Sequence, residues 1–277
     1  MRKKFAGVLL LFLVPAALLA QAPSNDDGVL WGGRFGVEAT HRIDRRWRVD
    51  GGVEGRISDN LGFDERLVAG GGIRYSPDKQ HSLGVEYHFV GKREYRSDLS
   101  YRNRFSFYGL ENWKAGPWRI SLKEEIRLRN RPGGINPYKH ARNEVFSLTR
   151  VKAGYRLNRN VTPYLALEGR LLLNGPSVTG YVYNPDLMRY TTPDGAVSGE
   201  EGWFFQGYKN CYFNRCRIEA GTDFRKLKSG NAIRLYVLAD HSRDFHVGTA
   251  DGGTTLTGLW WDRTWRFSFG FRYTFDL

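Results

Sequence analysis

With only two cysteines in 277 residues, the chain cannot be a disulfide-stapled scaffold. No Cys-x-x-Cys, His-x-x-x-His or Gly-x-Ser-x-Gly spacing occurs. The common zinc sites and the hydrolase nucleophile elbow are therefore unsupported, and no metal, cofactor or catalytic residue is expected. Past residue 22 there is no run of ~20 apolar residues, the length a helix needs to cross hydrocarbon, so a helical membrane bundle is excluded. Lysine is scarce beside arginine, 11 against 31. What is abundant is ring and glycine: 17 Phe, 15 Tyr, 8 Trp and 33 Gly. That much apolar surface excludes disorder. The formal net charge is +13.

Residues 1–22, MRKKFAGVLLLFLVPAALLAQA, place a basic start before an apolar stretch and small residues. They are expected to be a cleaved secretory signal peptide, with the cut after Ala20 or Ala22 and no lipobox cysteine following. A short tail (23–28) and one domain (29–277) then remain. An exported basic chain does not point to nucleic acid, so the charge needs another use.

The last segment shows what that domain is. In WRFSFGFRYTFDL, Trp265, Phe267, Phe269, Phe271, Tyr273, Phe275 and Leu277 alternate with Arg266, Ser268, Gly270, Arg272, Thr274 and Asp276. A period of two over this length makes one strand face wholly apolar and the other polar or small. Soluble strands average ~5–6 residues, whereas a strand tilted across an outer membrane needs ~9–11. The pattern recurs over 30–39, 47–57, 66–75, 82–90, 99–109, 118–129, 145–157, 161–173, 215–224 and 231–240. Glu124 breaks the apolar face of its strand. Tight turns (78–80, 114–117, 158–160, 226–230) alternate with longer loops (58–65, 91–98, 131–143, 174–202, 243–253). The expected fold is all-β: a closed antiparallel transmembrane β-barrel of the outer-membrane type, with short periplasmic turns and longer extracellular loops. Closure follows because an open edge in hydrocarbon leaves backbone groups unpaired. Eleven strands are legible and an even number is the rule, so 10–12 are expected. The parity stays open, with a further strand sought in 203–212 or 254–262.

Gly270, Tyr273 and Phe275 resemble the β-signal read by the barrel-assembly machinery, although Leu277 rather than an aromatic ends the chain. The chain also resembles a family of bacterial outer-membrane barrels known only as a domain of unknown function. The resemblance rests on Trp31-Gly32, SLKEEIRLRNR (121–131), YRNRFSFY (101–108) and TPYLALE (162–168). It implies the fold, the outer-membrane location and contact with outer-membrane lipid, and it brings no catalytic residues.

By alternation the lumen carries Arg102, Arg104, Arg119, Lys123, Arg127, Arg129, Arg150, Arg156, Arg266 and Arg272, with Glu54, Glu86, Glu125 and Glu168 among the acids. Basic positions outnumber acidic ones about two to one. Two readings compete. One is a narrow anion-favouring pore for small or acidic solutes, since rings of Arg select anions. The other is a plugged structural or surface-interaction barrel filled by neutralising pairs. A third, an outer-membrane lipid-modifying enzyme, has only His81–Ser82 and His241–Ser242 as dyads, and strand neighbours point to opposite faces. The barrel is expected to be a monomer.

Gly70-Gly71-Gly72 lacks the lysine and helix of a phosphate loop and reads as curvature. Asn25, Asp26 and Asp27 read as a solvated tail. Export allows a disulfide between Cys211 and Cys216, which requires a bend around residues 212–215. Trp31, Trp47, Tyr75, Trp118, Tyr155 and Trp265 at strand ends suit aromatic girdles.

Overall fold

A computed structural model of the chain describes residues 28–58, 65–93, 99–132, 141–180, 182–191, 197–198, 203–225, 231–250 and 255–277. The leader, the tail up to residue 27 and the Asn25–Asp27 patch lie outside them. Sixteen strands and no helix occur among the described residues: β1 (Gly28–Arg42), β2 (Trp47–Ser58), β3 (Glu65–Tyr75), β4 (His81–Arg93), β5 (Leu99–Ala115), β6 (Trp118–Asn130), β7 (Asn143–Tyr155), β8 (Val161–Gly175), β9 (Val178–Gly180), β10 (Val182–Asn184), β11 (Arg189–Thr191), β12 (Val197–Ser198), β13 (Trp203–Phe205), β14 (Asn210–Arg225), β15 (Ala232–Ala250) and β16 (Thr255–Asp276). Eleven of these close a barrel, β1 through β8 and then β14, β15 and β16, which returns to β1.

The parity question is resolved by the closing seam. Every other pairing in the wall is antiparallel, but β1 pairs with β16 in parallel, from Gly28↔Thr264 to Thr40↔Asp276. An odd count of up-and-down strands brings the first and last in running the same way. Neither candidate for a twelfth strand supplies one. Trp203–Phe205 pairs with Val178–Gly180 outside the wall, and residues 255–262 are the upper part of the continuous β16.

The faces follow the alternation. Outward lie Trp31, Phe35, Phe107, Leu167 and Phe269, each more than half exposed. Buried inside are Arg34, Glu125, Glu144, Arg170, Glu219, Asp223 and Asp240. A soluble protein does the opposite, because apolar surface left in water is unfavourable and buried charge is expensive. Aromatic pairs gather at the short-turn end, Trp47 on Tyr75 at 4.8 Å and Trp118 on Tyr155 at 5.1 Å. Farther toward the other end Trp31 packs on Phe267 at 5.1 Å.

The turns have local causes. Asp44 Oδ1 accepts from the backbone N–H of Arg46 and Trp47, Asp78 Oδ1 from Gln80 and His81, and Asn158 Oδ1 from Asn160 and Val161. Three turns thus use one Asx device. The β5–β6 hairpin has two residues, with Gly116 at φ 58° first, where a side chain would be strained.

The long-loop end differs from expectation. Residues 174–202 are not one irregular loop: β10, β11 and β12 form a small sheet and β9 pairs with β13. The 243–253 segment expected as loop is mostly strand. Pairing of β15 with β14 stops at Arg215↔Ser242, and pairing of β16 with β1 begins at Gly28↔Thr264. Residues 243–250 and 255–263 therefore continue as a two-stranded ribbon beyond the wall.

Candidate functional site in the lumen

Strands of period two that face lipid outside must place their polar residues inside, and a barrel of this width brings those residues within reach of one another. The result is a set of linked ion pairs. Asp240 receives Arg215 at 2.5 Å, Arg217 at 3.0 Å and Arg34 at 3.8 Å. Arg217 continues to Glu168 at 3.0 Å, and Arg150 joins Glu168 at 3.6 Å to Glu219 at 3.0 Å. Tyr164 donates its hydroxyl to Glu219 at 2.7 Å. One chain of charge therefore crosses β1, β15, β14, β8 and β7.

Smaller groups repeat the device. Arg56 and Arg272 hold Glu54 at 2.5 and 2.7 Å. Lys123 bridges Glu86 at 3.3 Å and Glu125 at 3.1 Å, and Arg127 meets Glu125 at 2.6 Å. Glu144 takes Arg129 at 2.5 Å and Arg131 at 3.0 Å. Lys152 and Arg234 share Asp223 at 2.8 and 2.6 Å. Several pairs join strands that are next-nearest neighbours, such as Lys123 on β6 with Glu86 on β4.

Between these groups lies a cavity of about 310 Å³. Its β1–β3 wall carries Gly36, Gly52 and Gly70, positions without a side chain to fill the space. Arg104, His88, Arg127, Arg150 and Arg217 border it from other strands. Eight Arg and Lys residues line it against six carboxylates, so the margin is positive but much smaller than the two to one expected from alternation.

Toward the long-loop end the lumen is packed rather than open. Phe146, Leu148 and Leu172 form a buried cluster with Tyr212 against it, and Arg129 and Arg170 stack on Phe146 at 4.6 and 4.7 Å. Trp261 of the ribbon meets Tyr212 at 4.9 Å and carries Arg243 at 3.8 Å. The β15–β16 ribbon thus leans onto the mouth. A second cluster, Tyr164, Ala166, Tyr236 and Leu238, lies just to the long-loop side of the Asp223 group.

Among the residues picked out for the lumen, Arg104, Lys123, Arg127, Arg150, Arg272, Glu54, Glu86, Glu125 and Glu168 come together around the cavity. Arg129 stands above it on Glu144, Arg102 is half-buried, and Arg266 pairs in register with Asp240. Two assignments are corrected. Arg119 turns back to donate to the carbonyls of Gly116 and Trp118, both at 3.0 Å, and Arg156 lies exposed past the end of β7 near the carbonyl of Asn158. Their strands have reached the short-turn end, where parity no longer selects a face.

Three inward charges are missing from the expected lumen set: Glu144 and Arg131, both buried, and the partly buried Arg215. Glu144 sits one residue before the predicted start of its strand. Arg131 falls in the stretch expected as loop, whereas Arg215, first in its predicted strand, keeps the inward parity of Arg217 and Glu219, so the alternation itself could have found it. In the β-signal segment, Gly270 is buried beneath the ring of Tyr236, Tyr273 accepts from Asn231 at 2.6 Å, and Phe275 is exposed.

The disulfide does not form. Cys211 and Cys216 are both free thiols. They lie on one continuous strand, β14, where ~3.3 Å per residue carries them far beyond the ~4.4–6.8 Å Cα span of a disulfide. His81 and Ser82 diverge: His81 is exposed on Asp78 at 2.9 Å, while Ser82 is buried against Ser76 at 2.8 Å. Among the described residues no three His, Cys, Asp or Glu side chains group to hold a metal.

The inverted distribution of apolar and charged residues, the closed wall and the ion-paired lumen define a β-barrel of the outer-membrane type. No family model matches the chain, and no curated protein or solved structure was found to be similar to it.

Proposed function

We propose that this protein resides in the outer membrane and that its lumen is a narrow, weakly anion-favouring passage for small or acidic solutes. The observation that carries this reading is the cavity, whose eight cationic and six anionic side chains leave a modest positive excess. Arg presents a weakly hydrated fork suited to carboxylate and phosphate, so such a chamber admits small anions more readily than cations. Gly270, Tyr273 and Phe275 address the chain to the assembly machinery. The whole chain belongs, on this reading, with the outer-membrane barrels of unknown function that it resembles.

A second reading, a closed structural barrel, is favoured by one observation: Phe146, Leu172, Tyr212 and Trp261 are packed across the long-loop end. Planar-bilayer recording under a salt gradient separates the two. The passage reading predicts small steady conductance with a reversal potential on the anion side. Tyr212→Ala should raise the conductance by opening the constriction, and Arg104→Ser should lower the anion preference. A folded wild-type barrel that stays silent, with Tyr212→Ala equally silent, establishes the closed reading instead.

A further inference from the structure

The charges of the lumen are sorted by height. On five strands an inward arginine stands on the long-loop side of the nearest acid of the same face. Arg56 stands above Glu54 on β2, Arg127 above Glu125 on β6 and Arg217 above Glu219 on β14, and β1 and β8 follow the same order. These arginines share one level. A pairing row that leaves β1 at Arg42 passes Glu125, Arg170 and Arg215 and returns to β1 at Gly28, so it climbs toward the long loops as it goes round. At a tilt of ~40° each step to the next strand rises ~3 Å, which sets the five arginines, with Arg104 and Arg215, within ~5 Å of one height.

Along this level arginines face one another across paired strands: Arg34↔Arg56, Arg104↔Arg129 and Arg170↔Arg215. Like charges set directly opposite are unfavourable. Lower in the lumen Lys123 faces Arg150, but each of those two holds two carboxylates. Higher up, Arg56, Arg129 and Arg215 hold Glu54, Glu144 and Asp240, and each of these acids is divided. Glu54 also serves Arg272, Glu144 serves Arg131, and Asp240 serves Arg217 and Arg34. Arg170 turns to Asn214, a neutral acceptor, at 2.9 Å. Among the described residues the level therefore keeps a positive excess. A local rule broken in this way is expected at a functional site.

The excess opens onto the cavity. Arg56, Arg104, Arg127, Arg215 and Arg217 border it at this level. His88 borders it too, opposite Arg104 in register, and its buried Nδ1 has no hydrogen-bond partner. A volume of about 310 Å³ stands at the small end of ligand pockets, so it suits a single small solute. Guanidinium forks from four strands match an ion with several oxygens and more than one negative charge better than they match chloride. Resting on the passage reading above, we propose that this arginine level is a binding site for a small multivalent oxyanion, a phosphate or a polycarboxylate, and that this is the solute the passage carries.

The test titrates the refolded chain in detergent micelles with inorganic phosphate and, separately, with tricarballylate, read by calorimetry in low-chloride buffer. At least one should bind, and which one does names the oxyanion. Arg104→Ser should weaken that binding about tenfold, the scale of one charge-assisted contact. Arg104→Lys keeps the charge without the fork and should fall between the two. Lys79→Ser removes an equal charge from the exposed β3–β4 turn and should leave binding unchanged. Heat-modifiable gel migration reports an intact barrel for each variant. Binding of neither probe, or a loss as large in Lys79→Ser as in Arg104→Ser, overturns the site. Bilayer recording separates this from the passage, because a probe that fills the site should also reduce the chloride current. A barrel that binds a probe but conducts nothing overturns the passage and keeps the site, whereas one that conducts chloride and ignores both probes overturns the site alone.

Discussion

Single residues fix both a turn and a close contact within the wall. Asp78, in an exposed turn, is bonded by the His81 ring and accepts from the backbone N–H of His81 and Gln80, and these bonds, the ring's foremost, hold its carboxyl down at about 2. The ordinary value is ~3.9, so the ionised form is favoured by folding. A depressed carboxyl contributes stability that is complete above the unfolded pKa and fades as pH falls toward the folded one. Unfolding of wild type and Asp78→Asn, compared across pH, should therefore differ above about pH 4 and converge near pH 2. A difference that persists unchanged at pH 2 would contradict the assignment. At the other extreme of burial, a Cβ on Gly270 would run into the Tyr236 ring. Gly270→Ala should destabilise the barrel by about 1–3 kcal/mol, the usual cost of overpacking. Adding Tyr236→Ala should recover part of that loss in a double-mutant cycle, read by urea unfolding.

At the scale of elements, the wall depends on paired charges that link strands. Glu144, with 2% of its side chain exposed, holds Arg129 on β6 and Arg131 just beyond it. Glu144→Gln leaves two largely buried guanidinium groups with less compensation, which should cost about 3–5 kcal/mol in denaturant unfolding. A loss below ~1 kcal/mol, the range of an exposed pair, would show that water reaches the group freely. The faces of most strands were legible because alternation is a local property: Trp31, Phe107 and Phe269 point out and Arg127, Glu168 and Arg272 point in, as the pattern requires. Parity failed where strands end. Arg119 and Arg156 had reached the turns, and Glu144 and Arg131 lay outside the periodic stretches. The parallel β1–β16 seam was invisible for a different reason, since pairing between the first and last strands is not encoded in either one. The cavity was illegible as well. It arises from glycines on β1, β2 and β3 facing Arg and Glu from distant strands.

For the molecule as a whole, the basic excess now has a place. Arg42, Arg45, Arg46, Lys79, Lys114, Arg156, Arg159 and Arg225 are exposed at or beside the short turns, while the cavity is close to balanced. Exposed Asp44, Asp78, Glu111 and Asp276 offset half of them, so among the described residues that rim keeps a basic excess alongside the smaller one of the cavity. The molecule inverts the arrangement of a soluble protein: Trp31, Trp47, Trp113 and Trp118 lie exposed on the outer face of a wall whose interior is charged. Tryptophan emission of the refolded chain in vesicles with brominated acyl chains tests it directly. Strong quenching relative to unbrominated vesicles is the predicted result. Emission that bromine leaves unchanged, in a chain that is folded and rich in strand, would contradict it.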